Sequence, residues 1–274
     1  GIRKKIKIIR ADIKDRTKLS NAMLGIDMVY QFAANPDIAK AVRQPDIDFW
    51  EGTYLVNNIL EAMRENNVRR IVYSSGSGVY GETGPALVGE DYSPMLPIST
   101  YGASKLGCEA LICAYTAMFG MTGTVFRFAN VVGPKQTHGV GYDFIRRLIK
   151  DPHSLTILGD GSQNKSYIHI NDIVAAMSMV EEKEKKFFNV YNVSTKDLIT
   201  VNQIAKIACE LLQIKNIKFK YSGGDRGWKG DVPTIKLNSG KIQSIGWSCQ
   251  YSSEDAIRHS MAAMLKDLLK DKGL

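Results

Sequence analysis

Short runs of apolar, β-branched and aromatic residues alternate with long amphipathic stretches through the first half of the chain, and this alternation constrains the fold more than any other feature. Residues 6–11 (IKIIRA), 27–33 (DMVYQFA), 70–74 (RIVYS) and 124–128 (TVFRF) read as strands. Between them, residues 15–24, 45–66 and 98–119 read as helices. Asp15 is placed to cap the first, and Pro45 sits in the opening turn of the second. Strands and helices alternating at this spacing predict an α/β, doubly wound parallel sheet with helices on both faces.

The pattern changes after Gly133-Pro134. Residues 142–150 read as a short basic helix, and 155–158 and 167–170 as short strands around the turn Gly159-Asp160-Gly161. A helix over 172–182 leads to residues 187–193 (FFNVYNV), a strand expected to rejoin the main sheet. Residues 201–212, 238–245 and 253–269 read as helices. The division expected is a larger unit of residues 1–133 and 167–198 and a smaller α+β unit of 134–166 and 199–274. In a doubly wound sheet, the first βα turn normally holds a pyrophosphate at a helix N-terminus. No GxGxxG or GxxGxxG lies directly ahead of a helix, and the chain opens almost at once on a strand, so the sheet is expected to lack its first βαβ unit.

Composition narrows the function classes. The net charge is +8, but residues 1–18 (Arg3, Lys4, Lys5, Lys7, Arg10, Lys14, Arg16 and Lys18 against Asp12 and Asp15) carry six of those charges. A local basic start reads as a solvated strand edge and helix face, so no nucleic-acid partner is expected. The run EEKEKK at 181–186 reads as a solvated helix end. No apolar run approaches the length of a membrane span, and no signal-peptide pattern opens the chain. Cys108, Cys113, Cys209 and Cys249 have no CxxC spacing and read as buried thiols in a reducing compartment, pointing to the cytoplasm and away from a metal. His138, His153 and His259 are scattered, His169 reads as a packed core histidine, and Trp50, Trp228 and Trp247 read as packing residues, Trp228 being the best placed for a substrate. Ser75 has no Gly-x-Ser-x-Gly frame, which leaves hydrolase chemistry unsupported.

The chemistry is concentrated in Ser99-Thr-Tyr101-Gly-Ala-Ser-Lys105. Tyr101 and Lys105 are four apart and share one helix face. A tyrosine is a poor base at neutral pH unless a neighbouring cation stabilises its anion, which is what a lysine there supplies. By itself the spacing is common on amphipathic helices. Its context is more informative: Ile71-Val-Tyr-Ser-Ser75 runs into Gly76-Ser-Gly-Val-Tyr-Gly81, and Arg127-Phe-Ala-Asn130-Val-Val-Gly133-Pro134 closes the next strand. These segments fall where strand C-termini meet their loops, the place where open α/β sheets bind ligands.

The ordered set ADI, QFAAN, ILEAMR, RIVYSSGSGVYG, YGASK, RFANVVGP, SYIHINDIV and YNVS resembles the extended short-chain dehydrogenase/reductase family, and within it the UDP-glucose 4-epimerases. The resemblance implies NAD as cofactor and a UDP-sugar as substrate. It implies that Asp12 and Ile13 touch the adenine, that Phe32, Ala33 and Ala34 line the ribose and pyrophosphate, and that Ser74 lies beside the nicotinamide ribose. Tyr101 would be the base, with Lys105 holding a ribose hydroxyl and, with the nicotinamide's positive charge, depressing the tyrosine's pKa. Asn130 and Arg226 would meet phosphates, Asp231 the uridine ribose, and Leu158 the uracil. Lys165 stands where the family usually has Arg. Gly76 occupies the position of a catalytic Ser or Thr, so Ser75, Ser77 or a water would supply that hydroxyl. The related dehydratases place an Asp-Glu pair where this chain has Ser77 and Gly78, favouring epimerisation over dehydration. Another nucleotide-sugar dehydratase, decarboxylase or reductase, or a non-catalytic binding protein of the same fold, are the alternatives. Apolar residues on the two long helices (Phe49, Tyr54, Val56, Ile59, Leu60; Leu106, Leu111, Ile112, Tyr115, Met118) predict a homodimer through a four-helix bundle.

Overall fold

The computed structural model describes residues 5–183 and 186–270. Arg3 and Lys4 of the basic start, and Glu184 and Lys185 of the charged run, lie outside the described residues.

Four strands form the main sheet: β1 (Met28–Gln31), β2 (Arg70–Gly76), β3 (Thr122–Phe128) and β4 (Phe188–Val193), in that spatial order and all parallel. Residues 187–193 do rejoin the sheet, as β4 beside β3. Helix α1 (Arg16–Ala22) is capped by Asp15, whose carboxylate accepts from the Lys18 amide. Helix α2 (Tyr54–Glu65) follows a π-helical turn, Phe49–Thr53, and α3 (Thr100–Phe119) carries the Tyr101/Lys105 motif. Leu60, Met63, Ile71, Ile112 and Val125 form a core between α2, α3 and one sheet face. On the opposite face, Ile173, Ala176 and Val180 of helix α5 (Ile170–Lys183) pack on Phe126, Tyr191 and Val193. Burying both faces explains why the strands read as continuous apolar runs.

Residues 6–11 do not form the expected strand. Ile6, Ile8 and Ile9 are 60%, 80% and 50% exposed, and no described strand pairs with them. Strand propensity without a hydrogen-bonding ladder does not make a strand. Among the described residues β1 likewise has a neighbour on one side only, β2.

A second core lies beyond β3. Helices α4 (Val140–Lys150), α6 (Val201–Leu211) and α7 (Ser253–Lys270) close around Phe144, Leu148, Leu155, Ile204, Ala208 and Met261. Two parallel strands, Ser154–Ile157 and Lys218–Tyr221, cover part of it. Asn130–Val132 pairs with Tyr167–His169 and ties this core to the end of β3. Helix α6 opens on a capping box in which Thr200 and Gln203 satisfy each other's backbone amides.

Several smaller readings need correction. Cys113 is exposed and Cys249 half-buried, so only Cys108 and Cys209 are the buried thiols expected. Trp50 is 45% exposed, edge-on to Phe49 and Tyr54. Of the apolar residues assigned to a dimer face, Val56, Ile59, Leu60 and Ile112 are consumed by the core, whereas Phe49 and Met118 stay exposed. Trp247 is buried and donates to the Asp172 carbonyl, and His169 is buried, as a packed histidine should be.

Candidate active site

The strand C-termini and the second core enclose a cavity of about 980 Å³. Helix α3 starts at its edge. Ser99 caps the helix by accepting from the Gly102 amide at 3.1 Å. Gly102 presses on the turn Ser77–Tyr80 so closely that a Cβ there would collide with the Gly78 carbonyl. This contact sets Tyr101 and Lys105 against the end of β2.

The Lys105 ammonium is 5% exposed and donates to the Ser74 carbonyl at 2.7 Å. It lies 5.5 Å from the Tyr101 ring centre and 5.0 Å from that of Tyr73. Burial pulls its pKa down to about 8, against the opposing pull of Cys108 and Glu109. Tyr101 is pushed up to about 12, first by burial and then by the negative charge of Asp48. The tyrosine pKa is therefore raised where a depression was expected, because desolvation and Asp48 dominate. Asp48 is a group that sequence reasoning missed. It is 2% exposed and accepts from Thr100 Oγ1 at 2.7 Å and Asn35 Nδ2 at 2.9 Å. Its signal was an acidic residue near the start of the helix that begins after Pro45.

Phe32, Ala34, Ser74, Tyr101 and Lys105 line the cavity at the sheet, and Asn130, Leu158, Lys165, Trp228 and Asp231 line it from the other side. Lys165 and Asp231 form an ion pair in the wall, and the Gly227 amide donates to the second Asp231 oxygen at 3.2 Å. The Asn130 side chain donates to the Ser166 carbonyl at 3.3 Å. Four of the expected site residues do not line the cavity. Asp12 is exposed and accepts from the Lys14 amide, and Ile13 packs on the core beneath α2. Ala33 exchanges hydrogen bonds with the Gln31 side chain. Arg226 is paired with Glu82 and reaches the Asp231 carbonyl at 3.3 Å.

Ser75 needs correction as the substitute for the hydroxyl absent at Gly76. It is 5% exposed, and its proton is donated to the buried Glu109 carboxylate. Ser75 borders the cavity with Ser74 and Gly76, but its hydroxyl is already committed to Glu109. Ser77 lines the cavity and is the remaining hydroxyl of this run. Two further features were missed. Gly139, Val140 and Gly141 line the cavity at the N-terminus of α4, where amide hydrogens point outward, and Arg147 of the same helix lines it too. The glycine pair ahead of an amphipathic helix was the available signal.

A nicotinamide ribose fits the sheet side: Lys105 uses one of its three donors on Ser74, leaving two for ribose hydroxyls beside Tyr101. For a pyrophosphate, Gly76-Ser-Gly-Val-Tyr-Gly81 has the GxGxxG spacing but runs into a single 3₁₀ turn. Among the described residues no such turn opens an α-helix on the sheet. No three His, Cys, Asp or Glu side chains among the described residues gather as metal ligands.

The profile of the NAD dependent epimerase/dehydratase family matches residues 1–194, and the chain belongs to that family. Its cofactor is NAD. It is similar to the UDP-glucose 4-epimerase of Corynebacterium glutamicum, 27% identical over 90% of this chain and 78% of that protein. It is also similar to a trifunctional UDP-glucose 4,6-dehydratase/UDP-4-keto-6-deoxy-D-glucose 3,5-epimerase/UDP-4-keto-L-rhamnose-reductase of Arabidopsis thaliana, 30% identical over 93% of this chain and 38% of that protein. A crystal structure of a UDP-galactose 4-epimerase superposes with a TM-score of 0.84 at 32% identity, over 94% of this chain and 83% of that one. The protein is thus an enzyme of the nucleotide-sugar epimerase and dehydratase class.

Proposed function

We propose that the full-length protein interconverts UDP-glucose and UDP-galactose by inverting C4 of the hexose. The observation that carries this reading is the Tyr101–Lys105 pair at the cavity's sheet edge, next to Ser77 and Gly78. The pair handles a hydroxyl proton, and neither Ser77 nor Gly78 has the acid–base group needed to expel water from C5–C6.

Bound NAD would supply the acceptor and then the donor of a hydride at C4. Lys105 and Ser74 would hold the ribose beside Tyr101, Phe32 and Ala34 would border the rest of the cofactor, and Ala33, Asp12 and Ile13, which lie outside the cavity lining, would meet it beyond the cavity wall. Tyr101 accepts the 4-OH proton as the sugar becomes a transient 4-ketone, and returns it after the ketone turns over in the site. Burial and Asp48 raise the Tyr101 pKa, so Lys105, already beside the ring, and the positive ring of the cofactor would together have to stabilise the tyrosinate. Asn130, Lys165 and Arg226 take the diphosphate, Lys165 exchanging Asp231 for phosphate oxygens. Asp231 then takes the uridine ribose, and Leu158 walls the uracil. Residues 1–133 and 167–198 form the cofactor unit in this reading, and 134–166 with 199–274 the sugar-nucleotide unit. In this reading two copies associate through α2 and α3, and the protein works in the cytoplasm, a reading supported by cysteines without disulfide partners.

The test is incubation of the full-length protein with UDP-galactose and NAD, with the products resolved by chromatography. UDP-glucose at an equilibrium ratio is expected. A 4-keto-6-deoxy sugar nucleotide as product would establish the dehydratase reading instead.

A further inference from the structure

Ser75, Arg127 and Asn192 face one another across β2, β3 and β4, residue opposite residue. The Arg127 guanidinium grips Glu109 of α3 through Nε at 3.1–3.2 Å and Nη2 at 2.7 Å. Its Nη1 donates to the Tyr80 hydroxyl at 2.8 Å, and Tyr80 donates to Asn192 Oδ1 at 2.7 Å. The Ser75 hydroxyl donates to Glu109 from the other side. The pair's side chains are 4% and 5% exposed.

A buried ion pair is weak ground for stability, since apolar residues of the same volume often serve as well. Its position is more telling. Glu109 lies one helical turn beyond Lys105, on the same face of α3. The groups that face Lys105 are Tyr101, Cys108 and Glu109 from α3 and Tyr73 and the Ser74 carbonyl from β2. Burial raises the Cys108 thiol and the Tyr73 phenol and pushes Tyr101 up as well, so all three are neutral at physiological pH. Glu109 is the carboxylate of this set, and Arg127 holds it in a charge-assisted, forked pair.

We propose that Glu109 and Arg127 are positioning residues: Arg127 locks the Glu109 carboxylate between β2, β3 and α3, and Glu109 in turn holds the Lys105 side chain as an ammonium beside Tyr101. Both act through Lys105, whose part in the reaction is the one assigned above. Ser75 belongs to this support, which accounts for its hydroxyl being held by Glu109 at the cavity wall.

Glu109→Gln removes the charge and keeps the shape and an acceptor for Ser75. Glu109→Gln with Arg127→Met removes both buried charges and so avoids leaving either unpaired. The measurement is an NMR titration of ¹³Cε-labelled lysine, the Lys105 signal being assigned by its loss in Lys105→Arg. In either variant that folds, the Lys105 midpoint is expected about one pH unit below the parent's. An unchanged midpoint in a folded variant overturns the proposal. The titration needs no turnover, so the C4-epimerase reading can fail in the product assay while this result stands, and the reverse.

Discussion

Lys105 and Tyr101, one helical turn apart, are perturbed in opposite directions: the ammonium is drawn down to about 8 while the phenol is driven up to about 12. One cause, burial, leads in both cases because it disfavours whichever form is charged. Asp48 adds to the rise at Tyr101. Replacing Asp48 by Asn should therefore lower the Tyr101 phenol pKa, read as the ultraviolet phenolate difference between chains with Tyr101 and with Tyr101→Phe. Tyr101→Phe itself should slow C4 epimerisation by at least about a hundred- to ten-thousand-fold, the usual contribution of a positioned base. Its circular dichroism should not change. Near-normal turnover in that variant would remove Tyr101 from the mechanism.

The lowered Lys105 pKa has a consequence for stability. An unfolded chain holds this proton up to 10.5, whereas the folded chain releases it from about 8. Between those values the unfolded state binds more protons, so stability rises with pH through that window. Below pH 8 the buried charge costs on the order of 3 kcal/mol. Lys105→Met should thus be more stable than the parent at neutral pH, with the advantage shrinking as pH climbs toward 10.5. Urea unfolding at several pH values checks this, and a variant less stable at neutral pH would contradict it.

Lys165 and Asp231 neutralise each other in the cavity wall. If Lys165 releases Asp231 to meet the diphosphate, Lys165→Met removes one charge-assisted contact, worth about 2 kcal/mol. KM for the UDP-sugar should rise about thirtyfold with kcat little changed. A loss confined to kcat would place Lys165 at the reacting carbon instead.

Phe49, Trp50 and Met118 remain 50%, 45% and 71% exposed on the segments that carry α2 and α3. Large exposed apolar side chains on neighbouring helices are costly unless covered. Light scattering should give the mass of a dimer at micromolar concentration, and Trp50→Glu with Met118→Glu should give that of a monomer. A monomeric parent would rule out this interface.

The fold was legible where periodicity and burial agree. Residues 70–74 and 124–128 are enclosed on both faces of the sheet, so their unbroken apolar runs mark them. Residues 6–11 are equally rich in β-branched residues and make no strand, because ladder partners are not encoded in the segment itself. At the site, Tyr101 and Lys105 were legible because i and i+4 must share a helix face. Glu109 and Arg127 were not, although each lies inside a quoted motif or helix. Their pairing depends on α3 crossing β3, a tertiary fact without sequence spacing. Ser75 illustrates the same limit: strand alternation turns it to the face opposite Ser74, and only the position of Glu109 shows where its proton goes.

The central claim is that C4 is oxidised and reduced within one closed site. UDP-galactose carrying deuterium at C4, converted by the full-length protein with NAD in ordinary water, tests it most directly. Mass spectrometry and NMR of the UDP-glucose formed should show the deuterium retained at C4 of the product. Loss of the label to solvent, or a product in which C4 remains a ketone, would contradict the account.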